Sequence, residues 1–152
     1  MKNTTLCYIE KDGCYLMLHR TKKENDENKD KYIGIGGKFE SGESPFDCIR
    51  REITEETALI PEALRYRGIV TFVSDLYGTE YMHLFTCHTF SGTLNTTCSE
   101  GVLRWIKTDE IEKLPLWEGD KIFLKLLRED NPFFSLKLVY NGEDLISHTL
   151  EY

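Results

Sequence analysis

Apolar residues recur in short runs of strand character along this chain, broken by stretches in which they fall at helical spacing instead. "TLCYIE" and "CYLMLHR" flank Lys11, Asp12 and Gly13, which predicts a hairpin. "YIGIGGK" predicts a short strand running into glycines, where backbone can approach a ligand with no Cβ in the way. Ser44 followed by Pro45 reads as an N-cap with proline at the first helical position. Asp47 is placed to complete a capping box, and the helix is expected to run to about Thr57. "RYRGIVTFV", "YMHLFTCHTF" and "LRWIK" predict strands, and "TDEIEKL" a short helix opened by a threonine cap. "GDKIFLKLLRED" predicts a second amphipathic helix, stopped by Asn131 and Pro132. "FFSLKLVY" and "LISHTLEY" flank Asn141 and Gly142, a strong turn signal. Hairpins at both ends and helices between them define the expected fold class as α/β, a mixed sheet with helices packed on it.

Residues 21–31, "TKKENDENKDK", interrupt this pattern with a stretch too hydrophilic for burial, expected to be a mobile loop. No Ser/Gly/Pro-rich linker divides the 152 residues, so residues 1–152 are expected to form one domain. The formal net charge of -7, without a basic stripe, makes duplex nucleic acid and anionic membrane poor partners. The start of the chain lacks a long apolar region and no stretch approaches a membrane span, so a cytoplasmic location is expected. Cysteines 7, 14, 48, 87 and 98 form no C-x-x-C pair and read as reduced thiols, mostly in the core. His83 and His88 read as packed or edge residues of a strand.

The chemistry concentrates in "RREITEET". On the predicted helix Phe46, Ile49 and Ile53 form an apolar stripe, while Glu52, Glu55 and Glu56 occupy an adjoining arc that looks outward. Carboxylates about 5–6 Å apart repel by roughly 3 kcal/mol at an effective dielectric of ~20. A solvated acidic face would explain the pattern through screening. The neighbours point elsewhere: Arg51 lies one helical turn from both Asp47 and Glu55, ready to brace carboxylates, and Gly36 and Gly37 lie just upstream. The remaining acidic oxygens suit a hard divalent cation shared with substrate phosphates.

Residues 37–59, "GKFESGESPFDCIRREITEETAL", resemble the Nudix box, with Gly37, Glu43, Arg51, Glu52, Ile53, Glu55, Glu56 and Leu59 at its fixed positions. Ala58 replaces the box's final glycine, which suggests a slightly different helix exit. The resemblance implies an α/β/α sandwich that hydrolyses a nucleoside diphosphate linked to another moiety, using Mg²⁺ or Mn²⁺. By position, Glu52, Glu55 and Glu56 would be metal ligands joined by the Gly36 carbonyl, with Glu56 the indispensable one. Glu100, in "CSEGVLRW", stands where the MutT branch carries a further acidic ligand. The general base stays open between Glu55, Glu52 and Glu100.

The similarity extends along nearly the whole chain to the MutT-type branch, the 8-oxo-dGTP diphosphatases. It implies a small-molecule nucleotide substrate, cleaved to monophosphate and pyrophosphate by a monomer or dimer, in a base pocket lined by Thr5, Arg20, Ile33, Ile35, Gly37, Lys38, Trp117 and Asp120. Each has a plainer reading: Trp117 as core, Asp120 as a helix N-terminal acid, Arg20 and Lys38 as surface cations. Ile33 stands where relatives carry a base-reading asparagine, and Gly119 where some carry an acid beside Asp120. Rival readings are the same chemistry on a dinucleoside polyphosphate or nucleotide sugar, and a nucleotide-sensing module without turnover.

Overall fold

The computed structural model describes residues 1–22 and 26–152; residues 23–25 of the hydrophilic stretch lie outside the described residues. The fold is built on strand β1 (Lys2–Lys11). Its residues alternate between two cores, as the period of two in a strand requires. Leu6 and Tyr8 enter one core, while Cys7 and Ile9 enter the other. The same holds for β2 (Cys14–Arg20), where Tyr15 and Met17 oppose Leu16 and Leu18. A strand buried on both faces needs a layer on each side. Helix α1 (Pro45–Thr57) supplies Ile49 and Ile53 to one face, and α2 (Glu118–Arg128) supplies Phe123, Leu124 and Leu127 to the other. The result is the expected α/β/α sandwich.

The remaining strands are β3 (Tyr32–Ile33), β4 (Ile35–Lys38), β5 (Ile60–Ser74), β6 (Gly78–Ser91), β7 (Thr97–Cys98), β8 (Gly101–Lys107), β9 (Phe134–Asn141) and β10 (Asp144–Glu151). They run in the order β10-β9-β5-β6-β1-β2-β8-β7, with β3 on β2 and β4 on β1. The sheet is mixed, because β1 pairs parallel with β6 and β5 parallel with β9. On its other edge β1 changes partner, from β4 over Thr4–Cys7 to β2 at Glu10 and Lys11. Asp12 and Gly13 turn that hairpin with φ of 50° and 75°, the pattern of a type I′ turn.

Helix α1 begins as its sequence predicts. Ser44 accepts from the Asp47 N–H at 3.1 Å, and Asp47 accepts from the Ser44 N–H at 3.0 Å. Its exit differs from expectation. Ala58 adopts the left-handed conformation that glycine would take, with φ 65° and its N–H bonded to the Thr54 carbonyl. Two other local readings are corrected. "TDEIEKL" yields only a 3₁₀ turn over Ile111–Lys113, its N-cap at Glu110 and not at Thr108, with no side-chain cap. The last hairpin turns at Gly142 and Glu143, one residue later than read, since Asn141 stays paired with Asp144. Strand β7, two residues long, carries no legible pattern.

A Cβ in the left-handed region costs about 1 kcal/mol. The Ala58→Gly variant is therefore expected to gain about 1 kcal/mol, a rise in Tm of about 2–4 °C by calorimetry.

Candidate active site

The acidic arc of α1 does not simply face water. Arg51 gathers much of it: Nε and Nη2 donate to Glu43 at 2.7 and 2.9 Å, Nη1 donates to Glu52 at 2.9 Å and Glu55 at 3.2 Å, and Nη2 also reaches the Lys38 carbonyl at 3.1 Å. These bonds, with the Glu40 N–H, hold the Glu43 carboxyl down to about 2. The expected Arg51 to Asp47 brace is absent among these bonds, because Asp47 is committed to the cap and faces Arg50 at 3.9 Å. Glu55 is the outermost of the three box glutamates, its side chain 59% exposed. Glu52 and Glu56 tuck inward. Burial raises the Glu52 carboxyl above its ordinary value against the pull of Arg51, with Glu55 and Glu100 adding to the rise.

Glu56 is the most perturbed of the cluster. Burial first, then the neighbouring carboxylates of Glu100 and Glu52 and a hydrogen bond with Glu100, push it well above the carboxylate range, while Arg20 opposes. Its Oε2 is buried without a hydrogen-bond partner. Arg20 stands beside Glu100, Nη1 3.3 Å from Oε2, and its Nε lies 2.8 Å from Asp26. An orphaned carboxylate oxygen among hard anionic neighbours is the donor chemistry that Mg²⁺ selects. The fit is therefore good for Glu52, Glu56 and Glu100. As they stand, no three His, Cys, Asp or Glu side chains among the described residues are drawn together at coordinating geometry; Arg51 holds Glu52 and Arg20 stands against Glu100.

The glycines form the roof of this cleft. A Cβ on Gly37 would lie 2.6 Å from the Glu52 carboxyl, and one on Gly36 would lie 1.9 Å from the Thr5 carbonyl oxygen on β1. The cleft, about 780 Å³, is lined by Arg20, Asp26, Arg51, Glu52 and Glu100 among others. Beside it lies a second cavity of about 210 Å³, walled by Leu6, Ile33, Phe72, Met82, Trp117 and Tyr140. Lys2, Asn28, Gly36, Gly37 and Lys38 line both, so the two spaces join at the glycines.

Thr5, Ile33, Gly37, Lys38, Trp117 and Asp120, six of the residues assigned to a base pocket, line the smaller cavity. Arg20 does not; it belongs to the acidic cleft. Ile35 lines neither: it is fully buried in the core beneath α1. Ile33 packs against the same core from its rim, partly buried, and so still reaches the cavity. The hydrophilic stretch is also corrected where it is described. The Asp26 side chain is only 7% exposed beside Arg20, and Asn28 accepts from Trp117 Nε1 at 2.8 Å. Cys7, Cys48 and Cys87 are buried and Cys14 and Cys98 half-buried, all as free thiols. Glu27, Asn28, Glu80 and Tyr140 line the smaller cavity unforeseen, since each arrives from a segment remote in sequence. At Gly119 a Cβ would meet Leu138 at 2.5 Å and the Tyr140 hydroxyl at 2.7 Å, so an acid there would require those two side chains to move.

Asp120 is the buried acid of the smaller cavity, 4% exposed. Burial raises its carboxyl to about 8, with Glu80 adding to the rise and Lys31 opposing it. At neutral pH the group is largely a neutral acid that both donates and accepts a hydrogen bond.

Residues 2–127 match the NUDIX domain, and the chain belongs to that family. It is 27% identical to an uncharacterized Nudix hydrolase, YvcI, of Bacillus subtilis, over 99% of this chain and 95% of that protein. It is also 27% identical to the oxidized purine nucleoside triphosphate hydrolase of Mus musculus, over 79% of this chain and 77% of the mouse protein. The crystal structure of a mutator MutT protein from Bacillus halodurans superposes with a TM-score of 0.88 at 25% identity, covering 99% of this chain and 98% of that one. Among the described residues no helix is long and apolar enough to cross a membrane.

Two predictions separate site from scaffold. Gly37→Ala is expected to displace the Glu52 carboxyl and cut hydrolysis at least tenfold with little change in Tm, whereas Gly36→Ala, meeting β1 backbone, lowers Tm; melting and activity on both variants check this ~1.4 kcal/mol difference in effect. For Asp120 the folded state holds a proton that the unfolded chain has released, so stability falls as pH rises from about 4 to about 8. Asp120→Asn removes that dependence, and its stability relative to wild type is expected to improve across this window by at most ~1.4 kcal/mol per pH unit in urea titrations.

Proposed function

We propose that this Nudix hydrolase is a divalent-cation-dependent pyrophosphohydrolase of nucleoside triphosphates, releasing monophosphate and pyrophosphate, with oxidised purines such as 8-oxo-dGTP preferred. The observation that carries the reading is the junction of the two spaces: an apolar cavity of base-accommodating character opens at Gly36, Gly37 and Lys38 into the carboxylate cleft. A nucleotide laid across that junction has its base against Trp117 and its phosphates beside Glu52 and Glu100. The mouse relative's name supports the substrate class.

In the hydrolysis, the oxygen of a water molecule bonds to phosphorus and the bond from phosphorus to the oxygen of departing pyrophosphate breaks. One water proton passes to a carboxylate, which we assign to the set Glu52, Glu55 and Glu100. Bound Mg²⁺, or Mn²⁺, supplies neutralisation of phosphate charge and lowers the pKa of water. Glu52, Glu55, Glu56, Glu100 and the Gly36 carbonyl are proposed to hold it, with Glu56 indispensable. Arg51 orients Glu52 and Glu55. In the cavity, Thr5, Ile33 and Lys38 border the nucleotide, and Asp120 offers a purine edge one donor and one acceptor. We place the reaction in the cytoplasm, in cleansing of the nucleotide pool.

The test is a panel of ordinary and oxidised nucleoside triphosphates, dinucleoside polyphosphates and nucleotide sugars, scored with Mg²⁺ for pyrophosphate and phosphate release. Pyrophosphate is expected from 8-oxo-dGTP, with kcat/KM at least about tenfold above that for dGTP, a transition-state difference of ~1.4 kcal/mol. Glu56→Gln, an isostere of the protonated acid, is expected to keep the fold and lose at least about a hundredfold in kcat. Turnover surviving that change sinks the mechanism; a dGTP rate equal to that of 8-oxo-dGTP sinks the substrate.

A further inference from the structure

The β9–β10 hairpin lies beyond residues 2–127, the span of the NUDIX match, yet its Tyr140 and Gly142 line the smaller cavity. The tip of the hairpin is tied on two sides. Gly142 N–H donates to Asp75, in the turn between β5 and β6, at 2.9 Å. Glu143 forms an ion pair with Lys31, just ahead of β3. Lys31 in turn places its Nζ 4.5 Å from the centre of the Trp117 ring. Its side chain is only 16% exposed, an unusual position for a residue that ordinarily carries its ammonium into water.

Trp117 is consequently held by three groups. Lys31 lies over its ring, Asn28 accepts from its Nε1, and Tyr140 meets it edge to face at 5.2 Å and 78°. Trp117, Asn28 and Tyr140 border the cavity and Lys31 does not, so the ammonium bears on the indole from outside. Glu143 is 72% exposed, and an ion pair with so open a partner adds little to stability. What it can do is decide where the Lys31 ammonium rests.

We propose that Lys31 and Glu143 are positioning residues for base recognition: through their ion pair the β9–β10 hairpin sets the Trp117 ring against which a purine stacks. This rests on the nucleotide reading of the cavity. Stacking scales with the ring area presented to the indole, so disturbing the ring weakens a purine more than a pyrimidine. The hydrolytic carboxylates are left alone, and the effect belongs in KM and in binding, not in kcat.

The experiment follows Trp117 fluorescence in a Trp105→Phe background, which leaves one indole of the two in the chain. Binding of dGMP and dCMP is titrated, and KM and kcat are measured for dGTP and dCTP. Lys31→Met is expected to weaken dGMP binding about fivefold, the scale of a half-buried cation–π contact, while dCMP changes by less than about twofold and kcat by less than about twofold. Glu143→Gln moves the same way by less, and Lys31→Arg restores wild-type values. Equal losses for both bases, or unchanged dGMP binding in a folded Lys31→Met variant, overturns the proposal and leaves the hydrolase reading intact. Wild type that hydrolyses triphosphates but binds neither monophosphate overturns it too, while wild type that neither binds nor hydrolyses nucleotides removes the nucleotide reading beneath it.

Discussion

Glu52 and Glu56 sit where water solvates them incompletely, one turn apart on the same helix and beside Glu100. Much of the local structure follows from that repulsion. Arg51 is fixed by Glu43 so that it can grip Glu52 and Glu55, and Arg20 stands against Glu100 from the other side. Neither arginine reaches the buried Oε2 of Glu56. A proton can satisfy part of that demand and a dication can satisfy more of it, since carboxylates in low dielectric gain most from a compact charge. The glycines above are the steric side of the same constraint, because the Glu52 carboxyl already fills the place of a Gly37 side chain.

The sheet makes this crowding affordable by separating it from the two cores. β1 sends alternate side chains to opposite layers, and its edge is shared between β4 and β2. Gly36, Gly37 and Lys38, paired with Leu6, Thr5 and Thr4, line the cleft. Arg67 shows how polar groups are handled elsewhere: its buried guanidinium donates to Thr86, to the Leu127 carbonyl and to Asp130, tying β5 to the end of α2. That charge is satisfied by its neighbours, whereas Glu56 is not.

What could be read from sequence were features encoded within a few residues. The capping box of Ser44 and Asp47, the two-residue turn at Asp12 and Gly13, and the glutamate spacing on α1 are of that kind. So is the alternation that sorts Leu6 and Tyr8 from Cys7 and Ile9. Features that depend on distant partners were not legible. Ile35 was placed in the pocket by its position in the family pattern, which does not show that its side chain packs fully into the core beneath α1. Asp26 and Asn28 read as solvated, and only folding supplies Arg20 and Trp117 to receive them. The exit at Ala58 kept its left-handed form because the packed helix and the following strand impose it, whatever the residue's preference.

The parallel pairing of β9 with β5 has a bearing on how such a protein diversifies. The carboxylate cleft is lined by residues up to Glu100, whereas Trp117, Asp120, Tyr140 and Gly142 wall the apolar cavity from later in the chain. The later stretch thus adds walls to a cavity whose other side, from Lys2 to Met82, belongs to the earlier chain. Substitutions in the last hairpin reshape the apolar cavity and leave the lining of the carboxylate cleft untouched, which makes that hairpin the place where related chains are free to part company.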